Sequence, residues 1–203
     1  EDLSSPWCTF FEQLGSTGLD DLDRRTQALA RQVRDNGITY NVYAAADQPQ
    51  RPWSLDLFPL MLGHTDWQQI EAGVMQRMQL LERIMADAYG PQRAVRDGVI
   101  PPRLITSSAH FHREAAGIEP ANGVRIQVSG IDLIRDEQGG WRVLEDNVRV
   151  PSGVSYVISN RRVMAQTLPE MFVSMRVRPV GDYPHKLLQA LRAAQWNVSA
   201  VAR

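Results

Sequence analysis

An α+β fold is predicted, mainly helical in the first half, with an antiparallel β hairpin and flanking helices in the second. Two observations predict it. Apolar residues recur at helical spacing through the long stretch Thr65–Tyr89. Two runs of strand character, Ile131 with Leu133 and Val143 with Leu144, flank the turn-forming Gln138-Gly139-Gly140. A join near residues 113–123 divides the 203 residues into a helical region 1–115 and an α+β region 116–203, with one continuous domain 1–203 as the alternative.

In chain order, residues 1–18 read as mixed, with Trp7, Phe10, Phe11 and Leu14 as apolar anchors. A helix is expected over Leu19–Asn36, where Leu22, Leu29 and Val33 recur on one face and Gly37 stands at the terminating position. Ile38–Tyr43 alternates as a short strand, residues 44–52 form a loop, and the proline-bracketed Arg51–Pro59 is extended. Thr65 and Gln68 make a capping box for the long helix. Its stripe is Trp67, Ile70, Val74, Met78, Leu81 and Met85, with the methionines read as core filler.

Gly90-Pro91 ends that helix, a short one follows over Gln92–Arg96, and Pro101-Pro102 stops any continuation. His110 and His112 are either a transition-metal pair or hydrogen-bonded surface residues. Val124, Ile126 and Val128 alternate with polar residues as a half-buried strand, and Gly130 is expected to form a bulge behind it. Val154–Leu168 reads as helical with Pro169 either inside it or just after its end, Val177–Val180 as extended, and Asp182 as the cap of a last helix through Trp196.

Composition narrows the function classes. Apolar residues at 43% and charged residues at 22% describe an ordinary globular protein. A net charge of -1 offers no general attraction to nucleic acid or to a membrane surface. Cys8 is the sole cysteine, which excludes an intrachain disulfide and fits a reducing, cytoplasmic setting. There is neither a long apolar run nor a charged-then-apolar leader. The chain opens on Glu1, and a longer native protein is expected.

The hairpin carries the sharpest chemistry. Folded symmetrically about Gln138-Gly139, it sets Asp132 opposite Glu145, and Asn147 shares the face of Glu145. Facing carboxylates repel in an ordinary sheet. A hard divalent cation removes that penalty, and carboxylate and amide oxygens are the donors Mg2+ prefers. Asp132, Glu145 and Asn147 are therefore the candidate metal ligands, a purely structural hairpin with Asp132 and Glu145 solvated being the other reading. Asp146 points to the opposite face and reads as structural.

Trp141-Arg-Val-Leu-Glu-Asp-Asn-Val-Arg-Val-Pro-Ser-Gly-Val-Ser-Tyr156, followed by Asn160-Arg161-Arg162, resembles the signature of circularly permuted ATP-grasp proteins of type 2. These are bacterial proteins related to glutathionylspermidine-synthase-like enzymes. Supporting likeness runs along the chain in Gly37–Tyr43, Arg51-Pro-Trp53, Glu71 through Arg77, Asp97–Pro101, Arg178-Pro-Val and Asp182-Tyr-Pro184.

The resemblance implies an ATP- and Mg2+-dependent ligase. It would join a small-molecule or peptide carboxylate to an amine through an acyl phosphate, with Asp132, Glu145 and Asn147 on the metal ions. Arg149 becomes a candidate catalytic residue toward phosphate, a carboxylate-paired arginine being the other reading. Ser152, Gly153 and Arg161 become candidate nucleotide contacts, with a helix-surface role the alternative for Arg161 or Arg162. Lys186 is the one lysine, and the segments that carry phosphate-holding lysines in such proteins are not recognisable here. A catalytically inactive binding or assembly module of the same fold is the second functional reading.

Overall fold

The computed structural model describes residues 5–40, 51–149 and 151–194. Contacts divide the chain into two compact units that interleave along the sequence: residues 1–64 with 152–182, and residues 65–151 with 183–203.

The first unit is helical. Helix α1 (Ser5–Asp20) bends at Gly15, and α2 (Leu22–Asp35) follows. A region read as mixed is thus a helix. Trp7, Phe10, Phe11 and Leu14 stand at the steps of three, four and seven that place side chains on one helix face. Helix α2 ends in a paired cap: Gly37 N–H donates to the Arg34 carbonyl at 2.9 Å and Ile38 N–H to the Val33 carbonyl at 3.1 Å. Gly37 takes the left-handed φ of 64° that this cap requires.

Strands β1 (Thr39–Tyr40) and β2 (Arg51–Pro52) pair antiparallel, Thr39 opposite Pro52. Residues 41–43 of the expected strand lie outside the described residues. Helices α6 (Val154–Thr167) and α7 (Pro169–Ser174) complete this unit, with Pro169 opening the second helix at a position where its missing N–H costs nothing. Phe10, Leu14, Leu29, Val33, Leu57, Val163, Met164, Leu168 and Met171 form one core. Trp53 stacks on Tyr156 with ring centroids 4.3 Å apart, and its indole N–H donates to Asn160 Oδ1 at 2.9 Å. The Tyr156 hydroxyl donates to the Thr39 carbonyl at 2.8 Å. These bonds tie two short motifs far apart in sequence to the first two turns of α6.

The second unit is built on α3 (His64–Ala88), which starts one residue ahead of the expected Thr65 cap. Of the predicted stripe Ile70 is buried, while Trp67 is exposed. Helix α4 (Arg93–Arg96) is capped by Asp87, whose carboxylate accepts the N–H groups of Arg93 and Ala94 at 2.8 and 2.9 Å. Those bonds hold the Asp87 carboxyl below the usual carboxylate range.

Helix α4 ends ahead of Pro101-Pro102 as expected, but Pro102 also begins a helix that was not expected. It opens α5 (Pro102–Thr106) from the first position, where φ near that of proline is already helical. Val124–Val128 is also corrected. The segment joins no ladder, because the N–H groups of Arg125 and Ile126 donate to the Glu82 carboxylate at 2.9–3.0 Å. Ile126 is buried but Val124 is exposed, so the sequence alternation is not matched by alternate burial.

Strands β3 (Gly130–Arg135) and β4 (Trp141–Asn147) form the antiparallel hairpin, and α8 (Tyr183–Ala193) is the last described helix. The structure is α+β as predicted. Among the described residues no helix is long and apolar enough to cross a membrane.

Candidate functional site

The hairpin turn spans Asp136–Gly140 rather than closing symmetrically on Gln138-Gly139. Gly139 N–H donates to the Asp136 carbonyl at 2.9 Å, and Asp136 N–H donates to the Gly140 carbonyl at 2.9 Å. Gly139 sits at φ 80°, the left-handed position that follows a type I turn in a hairpin. The Asp136 carboxylate accepts the N–H of Gln138 at 3.1 Å, that of Gly140 at 2.6 Å, and Arg142 Nε at 2.7 Å. The Arg142 guanidinium first, and the Gly140 N–H second, hold this carboxyl below the usual aspartate range.

From the turn, Arg135 pairs with Trp141, Ile134 with Arg142 and Leu133 with Val143; the register then shifts, and Asp132 pairs with Glu145. Leu144 is the extra residue of a β bulge, and its side chain is 65% exposed. The bulge expected at Gly130 is here instead. Gly130 pairs regularly with Asn147, in a place where a Cβ would come within 3.2 Å of Pro151 Cβ.

The bulge decides which way the acidic residues face. In an unbroken strand Val143 and Glu145 would share a face. With one residue added between them, Val143 lines the groove against α3 together with Leu133 and Trp141, a cavity of about 720 Å³, while Glu145 turns away beside Asp132. Asn147 stands on the same outward face, its Nδ2 donating to Glu145 Oε1 at 2.9 Å. The amide orientation leaves the Asn147 carbonyl oxygen as an acceptor. Among the described residues no arginine or lysine forms an ion pair with Asp132 or Glu145.

Asp146 faces the other way, as expected. Arg77 of α3 grips it through two parallel bonds, Nε to Oδ1 and Nη2 to Oδ2, both 2.6 Å. That pairing lowers the Asp146 carboxyl below its ordinary range and raises the Arg77 guanidinium. Arg77 carried no chemical signal in the sequence, because its partner lies 69 residues away.

Arg149 is exposed and places Nη1 3.2 Å from His110 Nδ1. His112 is exposed, and its backbone N–H donates to the Tyr89 hydroxyl at 3.3 Å. Among the described residues no three His, Cys, Asp or Glu side chains converge as a metal-binding group.

Ser152, Gly153 and Arg161 belong to the first unit. Gly153, at φ 95°, is the residue before α6, and its carbonyl accepts the N–H of Tyr156 at 3.0 Å. Ser152 and Gly153 therefore lie at the amino end of a 14-residue helix, where free N–H groups and the helix dipole favour an anion. Arg161 lies half-buried with Cζ 6.0 Å from the centre of the Phe172 ring, and Arg162 is exposed.

Residues 59–202 match the family model described as circularly permuted ATP-grasp type 2. The chain belongs to that family. The match takes in the hairpin, Arg149, Ser152, Gly153 and Arg161 of this ATP-grasp chain. An uncharacterized protein of Mycobacterium leprae (strain TN) is 49% identical over 191 residues, which cover 94% of this chain and 33% of that protein. An uncharacterized protein of Synechocystis sp. is 42% identical over 155 residues, 76% of this chain and 32% of its own length. A Frankia alni protein named "Putative glutamate--cysteine ligase 2-3" is 37% identical over 177 residues, 87% of this chain and 20% of its own. The ATP-grasp chain thus spans a fifth to a third of the length of these relatives.

Proposed function

We propose that the chain supplies the cation-holding hairpin of an ATP- and Mg2+-dependent ligase that joins a small-molecule or peptide carboxylate to an amine. One observation carries the reading: Asp132, Glu145 and Asn147 share a face of the hairpin, and among the described residues neither carboxylate is in an ion pair with an arginine or lysine. Such a donor set, all oxygen and doubly anionic, fits Mg2+ and suits softer transition metals poorly. Membership of the ATP-grasp family supports the same assignment, and the name of the Frankia alni relative describes a bond of the same class.

Asp132, Glu145 and Asn147 would hold Mg2+, which would supply charge neutralisation to the phosphate oxygens of ATP for transfer of a phosphoryl group to the substrate carboxylate, giving an acyl phosphate and ADP. Arg149, two residues beyond Asn147, offers a guanidinium to phosphate oxygens. Ser152 and Gly153 offer the N–H groups at the start of α6. Arg161 is the further nucleotide contact, held by its packing on Phe172. The amine then displaces phosphate from the acyl carbon. The cytoplasm, which holds both ATP and Mg2+, is the setting of this reaction.

Glu145→Gln in the full-length protein tests the reading. ADP release with substrate present is expected to fall nearly to background while the far-ultraviolet circular dichroism stays unchanged. Turnover at the normal rate would remove Glu145 from the ligand set. Absence of ATP and Mg2+ binding by the full-length wild type, measured by calorimetry, would favour an inert binding or assembly module.

A further inference from the structure

We infer that the Arg77–Asp146 pair is a positioning device: it locks the bulged register of β4 and so holds Glu145 and Asn147 on the face of Asp132. The inference rests on the cation site proposed above and adds two residues to it that touch no cation.

The reasoning starts from the weakness of the hairpin. Two strands alone specify register poorly, and a slip of one residue carries every side chain to the opposite face. The turn-side pairing, continued past Val143 without the bulge, would bring Leu144 rather than Glu145 opposite Asp132. Glu145 and Asn147 would then turn toward α3, and Asp146 alone would face outward. Apolar content does not prevent this, because Leu144 is already exposed.

What discriminates is Asp146. It is the residue between the two ligands, it is paired with Ile131 in the observed register, and both its oxygens are engaged by a guanidinium on α3. The slipped register would break both 2.6 Å bonds and set Glu145, one methylene longer, opposite Ile131 in the place of Asp146, so the Arg77 fork matched to an aspartate would meet a carboxylate displaced from it. A planar, two-bond match fixes orientation as well as distance, which a lysine at the same place would not do.

The test uses the full-length protein. Mn2+ affinity is read by electron paramagnetic resonance, and register by disulfide trapping. Arg77→Ala and Asp146→Asn are each expected to weaken Mn2+ binding by about 10–100-fold, the loss seen when outer-shell partners of a metal site are removed. Arg77→Lys is expected to lose nearly as much, and the exchanged pair Arg77→Asp with Asp146→Arg to recover most of it.

In the trapping arm, Asp132→Cys with Glu145→Cys should oxidise readily when Arg77 is present. With Arg77→Ala the trap should shift toward Asp132→Cys with Leu144→Cys. Wild-type Mn2+ affinity in Arg77→Ala, with Glu145→Gln abolishing binding, overturns the positioning role and leaves the cation site standing. Binding indifferent to Glu145→Gln overturns the site itself, and the trapping result then decides the register lock on its own. An unchanged trap after Arg77→Ala overturns the lock.

Discussion

Replacing Asn147 with aspartate puts a number on the ligand set. In the structure Asn147 Nδ2 stands 2.9 Å from Glu145 Oε1. The variant sets a carboxylate oxygen against that carboxylate. Two unit charges about 4 Å apart repel by about 1 kcal/mol in water. Loss of the hydrogen bond adds about 0.5–1 kcal/mol. The hairpin should therefore open more easily by about 1.5–2 kcal/mol, which corresponds to amide exchange about 10–30-fold faster over β3 and β4.

Hydrogen exchange read by mass spectrometry on the full-length protein is the assay. Because the groups are exposed, the repulsive part should fade between about 0.01 M and about 1 M salt, as the screening length shrinks from about 30 Å to about 3 Å. Millimolar Mg2+ should do more than salt, restoring protection and binding the variant more tightly than the wild type. Exchange that rises equally at both salt concentrations, or that Mg2+ leaves untouched, refutes the assignment of these residues as ligands of one cation.

Two further outcomes follow from the packing and the turn. Leu29, 1% exposed in the core of the first unit, should cost about 2–5 kcal/mol when cut to alanine, lowering the urea midpoint; a loss under about 1 kcal/mol contradicts its burial. Asp136, whose folded carboxyl is held low by Arg142 and then Gly140, stabilises the turn fully above the ordinary aspartate pKa of about 3.9. That contribution is lost as pH falls through the lower folded value. Hairpin protection should fall across that acid window in the wild type and show no such step in Asp136→Asn.

How much of this was legible depended on the distance over which each residue is satisfied. The long helix α3 and the cap at Gly37 were readable because local spacing and one glycine specify them. Helix α1 carried equally regular spacing at Trp7, Phe10, Phe11 and Leu14, but Gly15 and Gly18 interrupt the pattern beyond it and disguise the helix. Val124–Val128 looked like a strand because its sequence alternates. Only the Glu82 carboxylate, 43 residues upstream, reveals that its N–H groups need no neighbouring strand.

The pairing of Asp132 with Glu145 was predicted from a symmetric turn and is present for another reason. The turn is displaced toward Asp136, and the bulge at Leu144 compensates by one residue. Two local departures cancel, so the outcome was readable and its cause was not. The division into units that each join separated segments follows from long-range packing, which linear composition does not report.

The bulge also makes the hairpin asymmetric toward changes in chain length. Leu144 pairs with nothing, so losing any one residue from Arg142 to Leu144 can be absorbed by closing the bulge into a regular ladder, with Glu145 and Asn147 still facing outward. A residue gained in the same span has no such reserve and drives the strand into a second irregularity. Lineages of this hairpin can therefore shorten before the ligands at little cost, while lengthening there disrupts the site.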